Sequence, residues 1–143
     1  MSGNDITIEA GNWDTLSEAC SHIRRVVFID EQGVDESEEL DALDPTCIHF
    51  LIRDGQMPCG TARLLPDGHI GRVAIFKTHR GLGLGARLMR HVIEHARTQH
   101  FTECALSAQT HATGFYEQLG FVAHGEVYID AGIPHRAMTL RLA

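Results

Sequence analysis

An apolar run, a glycine-rich turn and an amphipathic helix follow one another here as RVAIF (residues 72–76), HRGLGLGARLM (79–89) and ARLMRHVIEHA (86–96). That succession limits the local fold to a strand, a tight turn and a helix. A helix start exposes unpaired N–H groups and the positive end of the helix dipole, so it suits an anion. Glycines let the backbone approach a phosphate closely and adopt positive φ. The planar guanidinium of Arg80 adds a cationic fork. The stretch Arg80, Gly81, Leu82, Gly83, Leu84, Gly85 and Ala86 therefore predicts a pyrophosphate site. A P-loop does not fit, because the only lysine, Lys77, precedes the glycines. The dinucleotide fingerprint does not fit either. It reads GxGxxG in a first βα unit, whereas GxGxG stands here in mid-chain. Taken alone, the glycines would also serve tight packing of a helix on a strand.

A chain of 143 residues is enough for one domain, residues 1–143, with a core that needs no staples. No apolar run spans a membrane, and the N-terminus has neither the basic flank nor the apolar core of a signal peptide. Cys20, Cys47, Cys59 and Cys104 form no CxxC pair, which predicts idle thiols in a reducing cytoplasm. A net charge of −7 argues against nucleic acid. The segment DEQGVDESEELDALD (30–44) holds eight acids and no base. A solvated loop is the plainer reading; a negative rim that draws in a cationic amine is the functional one.

ITIEA alternates as a first strand. Asp14 predicts an N-cap for a helix reaching about Asp30, with Leu16, Ala19, Ile23, Val26 and Val27 on one side. CIHFLIRD and MPCGTARLL predict strands joined at Asp54-Gly55, and Pro66-Asp67-Gly68 turns into HIGRVAIF. In the next helix Leu84, Leu88, Met89, Val92, Ile93 and Ala96 share one face. CALSA, a short helix in ATGFYEQLG, and strands in FVAHGEVYI and HRAMTLRL complete the order β-α-β-β-β-α-β-α-β-β. The fourth and fifth strands are joined by a helix and should be parallel, giving an α/β fold with a mixed sheet.

Read from Arg80, R-x-x-G-x-G is similar to the acyl-CoA pyrophosphate loop of the GNAT superfamily of N-acetyltransferases. GRVAI (71–75) looks like that family's fourth strand, and AQTHATGFYEQLGF (108–121) resembles its segment with a tyrosine-bearing helix followed by Gly-Phe. VVFIDEQGV, ELDALD, HF, IGRVAI, LSAQ and GIPHRAM together resemble the ElaA/YjcF-like branch. The resemblance implies a single N-acetyltransferase domain with a splayed central parallel pair of strands. It implies direct transfer of acetyl from acetyl-CoA, as co-substrate, to a primary amine of a small acceptor. Main chain at Val73, Ala74 and Ile75 would pair with the pantetheine arm and polarise the thioester carbonyl. Gln109 stands where many members have asparagine and would touch the same arm. Tyr116 is the candidate general acid. Glu31, in the segment shared with the branch, is the candidate base, with His49, His111, His135 and a water chain as others; Glu31 and His135 are placed at the acceptor. Arg63 on the third strand could orient an acceptor carboxylate, but an ion pair with the acidic segment is the plainer reading. The resemblance also allows a homodimer through the last strands. A catalytically weak acyl-CoA sensor of the same fold is the alternative, against which the retained Tyr116 speaks.

HVIEH (91–95) matches HxxEH, with two histidines on one helix face. A metal site is not expected, because no third ligand is apparent in the residues after His95 and packing accounts for the helix.

Overall fold

A computed structural model describes residues 5–142. The chain runs β1 (Ile6–Gly11), α1 (Trp13–Arg24), a π-helical turn (Arg25–Glu31), α2 (Glu36–Glu39), β2 (Ile48–Asp54), β3 (Met57–Leu64) and β4 (Ile70–Ile75). It continues through α3 (Leu84–Thr98), β5 (Glu103–Gln109), α4 (Thr113–Gln118), β6 (Val122–Asp130) and β7 (Ile133–Arg141). The expected order is present, with α2 added.

The mixed sheet takes the form of two antiparallel sheets, β1-β2-β3-β4 and β5-β7-β6, which meet at a parallel bridge between His69 and Ala105. From that bridge β4 and β5 diverge, so each leaves one edge unpaired. β7 inserts between β5 and β6. The junction is tight: Gly68 has φ +95°, and a Cβ there would lie 2.6 Å from the Glu103 carbonyl oxygen. Gly68→Ala is therefore expected to cost about 2–4 kcal/mol, because backbone strain and a backbone clash act together. Urea unfolding at neutral pH checks this.

Two cores lie on opposite faces of the first sheet. Leu88, Met89, Val92 and Ala96 of α3 pack with Phe50, Ile52 and Leu64 on one face. Leu16, Cys20 and Ile23 of α1 pack with Leu51 and Ala74 on the other. β2 is covered on both faces, and for that reason it reads as a continuous apolar run. His91 and His95 meet the edge of buried Phe50, with ring centroids 6.2 and 5.3 Å away. Among the described residues no group of three or more metal-ligating side chains forms.

The cap of α1 differs from expectation. Asn12, not Asp14, accepts the Thr15 N–H at 2.9 Å, and Asp14 falls in the first turn. Both are good capping types, and the choice depends on where the chain leaves β1. The helix does reach Glu31, but its last seven residues are π-helical. The wider turn bonds Gln32 N–H to Val27 O and carries Phe28, Glu31 and Gln32 to the cleft. π-turns of this kind recur at functional sites.

The acidic segment is largely exposed, as a solvated loop would be, but most of its carboxylates are paired. Of its eight acids, five pair with arginines: Glu31 with Arg80, Glu36 with Arg25, Glu39 with Arg24, Asp41 with Arg63 and Arg72, and Asp44 with Arg24 and Arg63. Hydrogen bonding from Arg63 holds the Asp41 carboxyl at about 2, below its ordinary 3.8. Burial works against charge on Asp44, but hydrogen bonds from Arg24 and Arg63 outweigh it and lower its pKa. Both pKa values are depressed in the folded state, so this stabilisation is present above the ordinary carboxylate value and lost as pH falls through the folded one. The melting temperature is expected to drop between pH about 4 and about 2. Asp41→Asn should melt lower at neutral pH and show a shallower drop over that window.

Candidate active site

The divergence of β4 from β5 opens a cleft of about 1070 Å³. Its walls bring together most of the residues expected from the sequence. The turn and helix start supply Arg80, Gly81, Gly83, Leu84, Gly85 and Ala86; β4 supplies Val73, Ala74 and Ile75. Glu31, Gln109, Tyr116 and His135 line the same cleft.

The glycine turn has the geometry an anion needs. Gly81 and Gly83 have φ +79° and +78°, a conformation that costs other residues strain. Gly83 is the N-cap of α3, and no side chain caps that end. The first N–H groups of a helix have no partner within it, so those of α3 are left available. A Cβ on Gly83 would meet nothing within 4 Å, so the turn is open to an incoming group. Gly85 packs closely, its ideal Cβ lying 3.4 Å from Phe115 Cζ. Leu82 is half-exposed on the turn and does not line the cleft, although its backbone belongs to the turn.

β4 presents main chain to the cleft because it is bulged. Arg72 has φ +52°, and Arg72 and Val73 together stand opposite Ala62. Phe76 N–H donates to Cys59 O at 2.8 Å. By antiparallel alternation Ala74 then turns its polar groups toward Thr61, and Ile75 turns its own away from β3. Of the three residues expected to pair with a ligand, Ala74 spends its groups on β3. The outward carbonyl of Ile75 accepts Arg80 Nε at 2.9 Å.

Two contacts strap the π-turn across the cleft. Glu31 takes both terminal nitrogens of Arg80, one at 2.9 Å. Gln109 Nε2 donates to Gln32 Oε1 at 3.0 Å, and Gln109 Oε1 accepts from His111 Nε2 at 2.7 Å. The Arg80 hydrogen bond lowers the Glu31 pKa. A carboxylate so held is a poor proton acceptor for as long as the pair with Arg80 lasts. Gln32 carries no sequence signal of its own; its place in the strap depends on the π-turn, which leaves no period in the residues.

Two further candidates lie outside the cleft, and for Arg63 the ion pair with the acidic segment is the reading that holds. Arg63 is buried and outside the cleft; its guanidinium donates to Asp41 Oδ2 and Asp44 Oδ1, each at 2.8 Å, so it cannot orient an acceptor. His49 is buried against Trp13 and donates Nε2 to Asp44 O at 2.9 Å, and burial pushes its pKa down. The eight acids of residues 30–44 were the signal that buried arginines would be needed.

Tyr116 stands edge-on to Phe115 and Phe121, with centroids 5.0 and 6.1 Å away. Burial pushes its pKa up to about 12, so the phenol stays protonated at neutral pH. No group among the described residues hydrogen-bonds its hydroxyl. His135 also lines the cleft: its Nδ1 lies 2.7 Å from Ile133 O, and the ring stacks on Tyr128, whose hydroxyl bonds Ser107.

A family model for an acetyltransferase (GNAT) domain matches residues 20–142. The chain is 35% identical over 133 residues to the uncharacterized N-acetyltransferase YjcF of Bacillus subtilis, covering 90% of this chain and 94% of that protein. An acyl-CoA N-acyltransferase from Pseudomonas aeruginosa superposes with a TM-score of 0.83 at 32% identity, over 94% of this chain and 99% of the other. Escherichia coli ElaA superposes with a TM-score of 0.84 at 29% identity, over 95% and 99%.

Proposed function

This chain belongs to the GNAT acetyltransferase family, and from that premise we propose that it moves an acetyl group from acetyl-CoA directly to a primary amine of a small acceptor. The observation that carries the reading is the uncapped start of α3, opening through two αL glycines into a cleft whose walls are a split strand edge and a partly buried, protonated phenol.

The diphosphate of the coenzyme fits the N–H groups from Leu82 to Ala86, with Arg80 exchanging Glu31 for a phosphate. Backbone amides and the helix dipole favour the dianion there. The pantetheine arm lies along the outward edge of β4, near Val73 and Ile75. An N–H on that edge polarises the thioester carbonyl and holds its developing charge, a contribution of about 3 kcal/mol for a preorganised donor. Gln109 faces the arm once its strap to Gln32 yields.

The amine nitrogen then attacks the carbonyl carbon. The C–N bond forms, the C–S bond breaks, and the thiolate leaves. Tyr116 acts at that sulfur. With a pKa near 12 against about 8.5 for an ordinary thiol, it serves chiefly by donating a hydrogen bond to the departing charge. His135 lies on the cleft wall that the acceptor meets.

Free thiol release from acetyl-CoA, screened across an amine panel, tests the proposal. Release that requires both enzyme and one class of amine is expected. Tight coenzyme A binding with no turnover on any amine would instead support a sensor of the same fold. The homodimer expected through the last strands finds support on the outer strand β6, where Val122, Val127 and Ile129 are 68%, 57% and 66% exposed. The four cysteines are buried and free.

A further inference from the structure

We infer that His135 is the base that takes the proton from the incoming ammonium; the assignment rests on the acetyl-transfer reading. His135 Nδ1 is 2.7 Å from the Ile133 carbonyl oxygen. A carbonyl only accepts, so Nδ1 carries the ring proton, and the neutral ring keeps its lone pair on Nε2. No group among the described residues bonds Nε2, and the residue lines the cleft.

The ring is fixed by two contacts, the Ile133 carbonyl and the Tyr128 ring. Pairing in β7 sets it opposite Gln109 of β5 and Tyr128 of β6. Tyr128 stacks on it at 6.2 Å with the planes 25° apart, and Ser107 holds the Tyr128 hydroxyl. A buried imidazole with one nitrogen pinned by a carbonyl and the other open to a reaction cleft is arranged to accept a proton. The other histidines of the cleft are spent. His79 uses both ring nitrogens on Thr78 and Asp54. His111 is exposed and gives Nε2 to Gln109.

The charges that share the cleft with His135 come from every wall. Asp130 lies on β6, Glu38 and Glu39 on α2, and Arg72 on β4. Arg80 and Glu31 pair until the coenzyme phosphate takes Arg80, which leaves Glu31 as a further carboxylate of the cleft, and Tyr116 is uncharged at neutral pH. In the reaction one ammonium proton passes to Nε2, and the freed lone pair forms the C–N bond. Collapse breaks the C–S bond, the remaining excess proton on nitrogen reaches the sulfur, and His135 returns its proton to solvent.

The test is His135→Gln with two acceptors, an alkylamine of pKa about 10 and a weakly basic arylamine that is neutral at pH 7. Binding of acetyl-CoA should change less than about twofold. For the alkylamine, kcat/KM at neutral pH should fall about 10²- to 10³-fold. In the unmutated enzyme kcat/KM should level off well below the pKa of the amine, whereas in the variant it should keep rising until the amine itself deprotonates. With the arylamine the deficit should shrink below about tenfold. Equal deficits for both acceptors, or an unchanged pH profile, would overturn the assignment and leave acetyl transfer standing. An unmutated enzyme that binds acetyl-CoA but acetylates no amine would overturn both. Nitrogen NMR of the unmutated protein gives a check that needs neither turnover nor a folded variant. A neutral His135 with its proton on Nδ1 is expected; one with its proton on Nε2 contradicts the assignment.

Discussion

Gly83→Asp is expected to weaken acetyl-CoA binding at least about a hundredfold, or about 2.8 kcal/mol, as read by calorimetry. Two effects combine. The residue sits at φ +78° where α3 begins, and the diphosphate is to occupy the open space beside it. A carboxylate there repels the phosphates and competes for the free N–H groups of the helix. The fold should survive, because a Cβ at this position meets nothing within 4 Å and Asp tolerates the left-handed region better than most residues. Gly83→Asn separates the two effects. It places nearly the same shape without the charge, so it should lose far less affinity. The Asp deficit should also shrink in high salt, since screening weakens the repulsion of exposed charges. Unchanged affinity in Gly83→Asp would remove the phosphate from this turn.

Tyr116→Phe should lower kcat about 10- to 100-fold and leave the KM for acetyl-CoA nearly unchanged. A hydrogen bond to a charged group contributes about 1.5–3 kcal/mol, and this one forms fully only as the sulfur departs. Stability gives the control. No group among the described residues bonds the hydroxyl, so its loss leaves no buried partner unsatisfied, and the melting temperature should hold or rise slightly. A variant that turned over normally would take Tyr116 out of the mechanism. One that lost stability and activity together would point to a packing role in the cluster with Phe115 and Phe121.

The parts of the fold written in short-range pattern were legible from the residues. The apolar face of α3 is buried at all six positions read from its period. Asp54-Gly55 and Pro66-Asp67-Gly68 turn the chain where their φ preferences require, and Gly55 and Gly68 both have positive φ. Of the cleft walls, the glycine turn shows its anion-binding chemistry in its own residues, whereas the places given to β4 and Tyr116 came through the family resemblance. What escaped was set by partners distant in sequence. Glu31 reads as a free carboxylate until Arg80, 49 residues on, is seen to hold it. Arg63 reads from the sequence as an acceptor contact or as an ion pair with the acidic segment, and only Asp41 and Asp44 closing over it decide for the pair. The π-turn, the bulge at Arg72 and the insertion of β7 beside β5 are tertiary choices with no local period.

A structure determined with coenzyme A bound tests the central claim most directly. The diphosphate should lie within hydrogen-bonding distance of backbone N–H groups between Leu82 and Ala86, with the Arg80 guanidinium turned from Glu31 to a phosphate oxygen. Coenzyme A bound with its diphosphate elsewhere, the turn empty and Arg80 still on Glu31, would contradict the account.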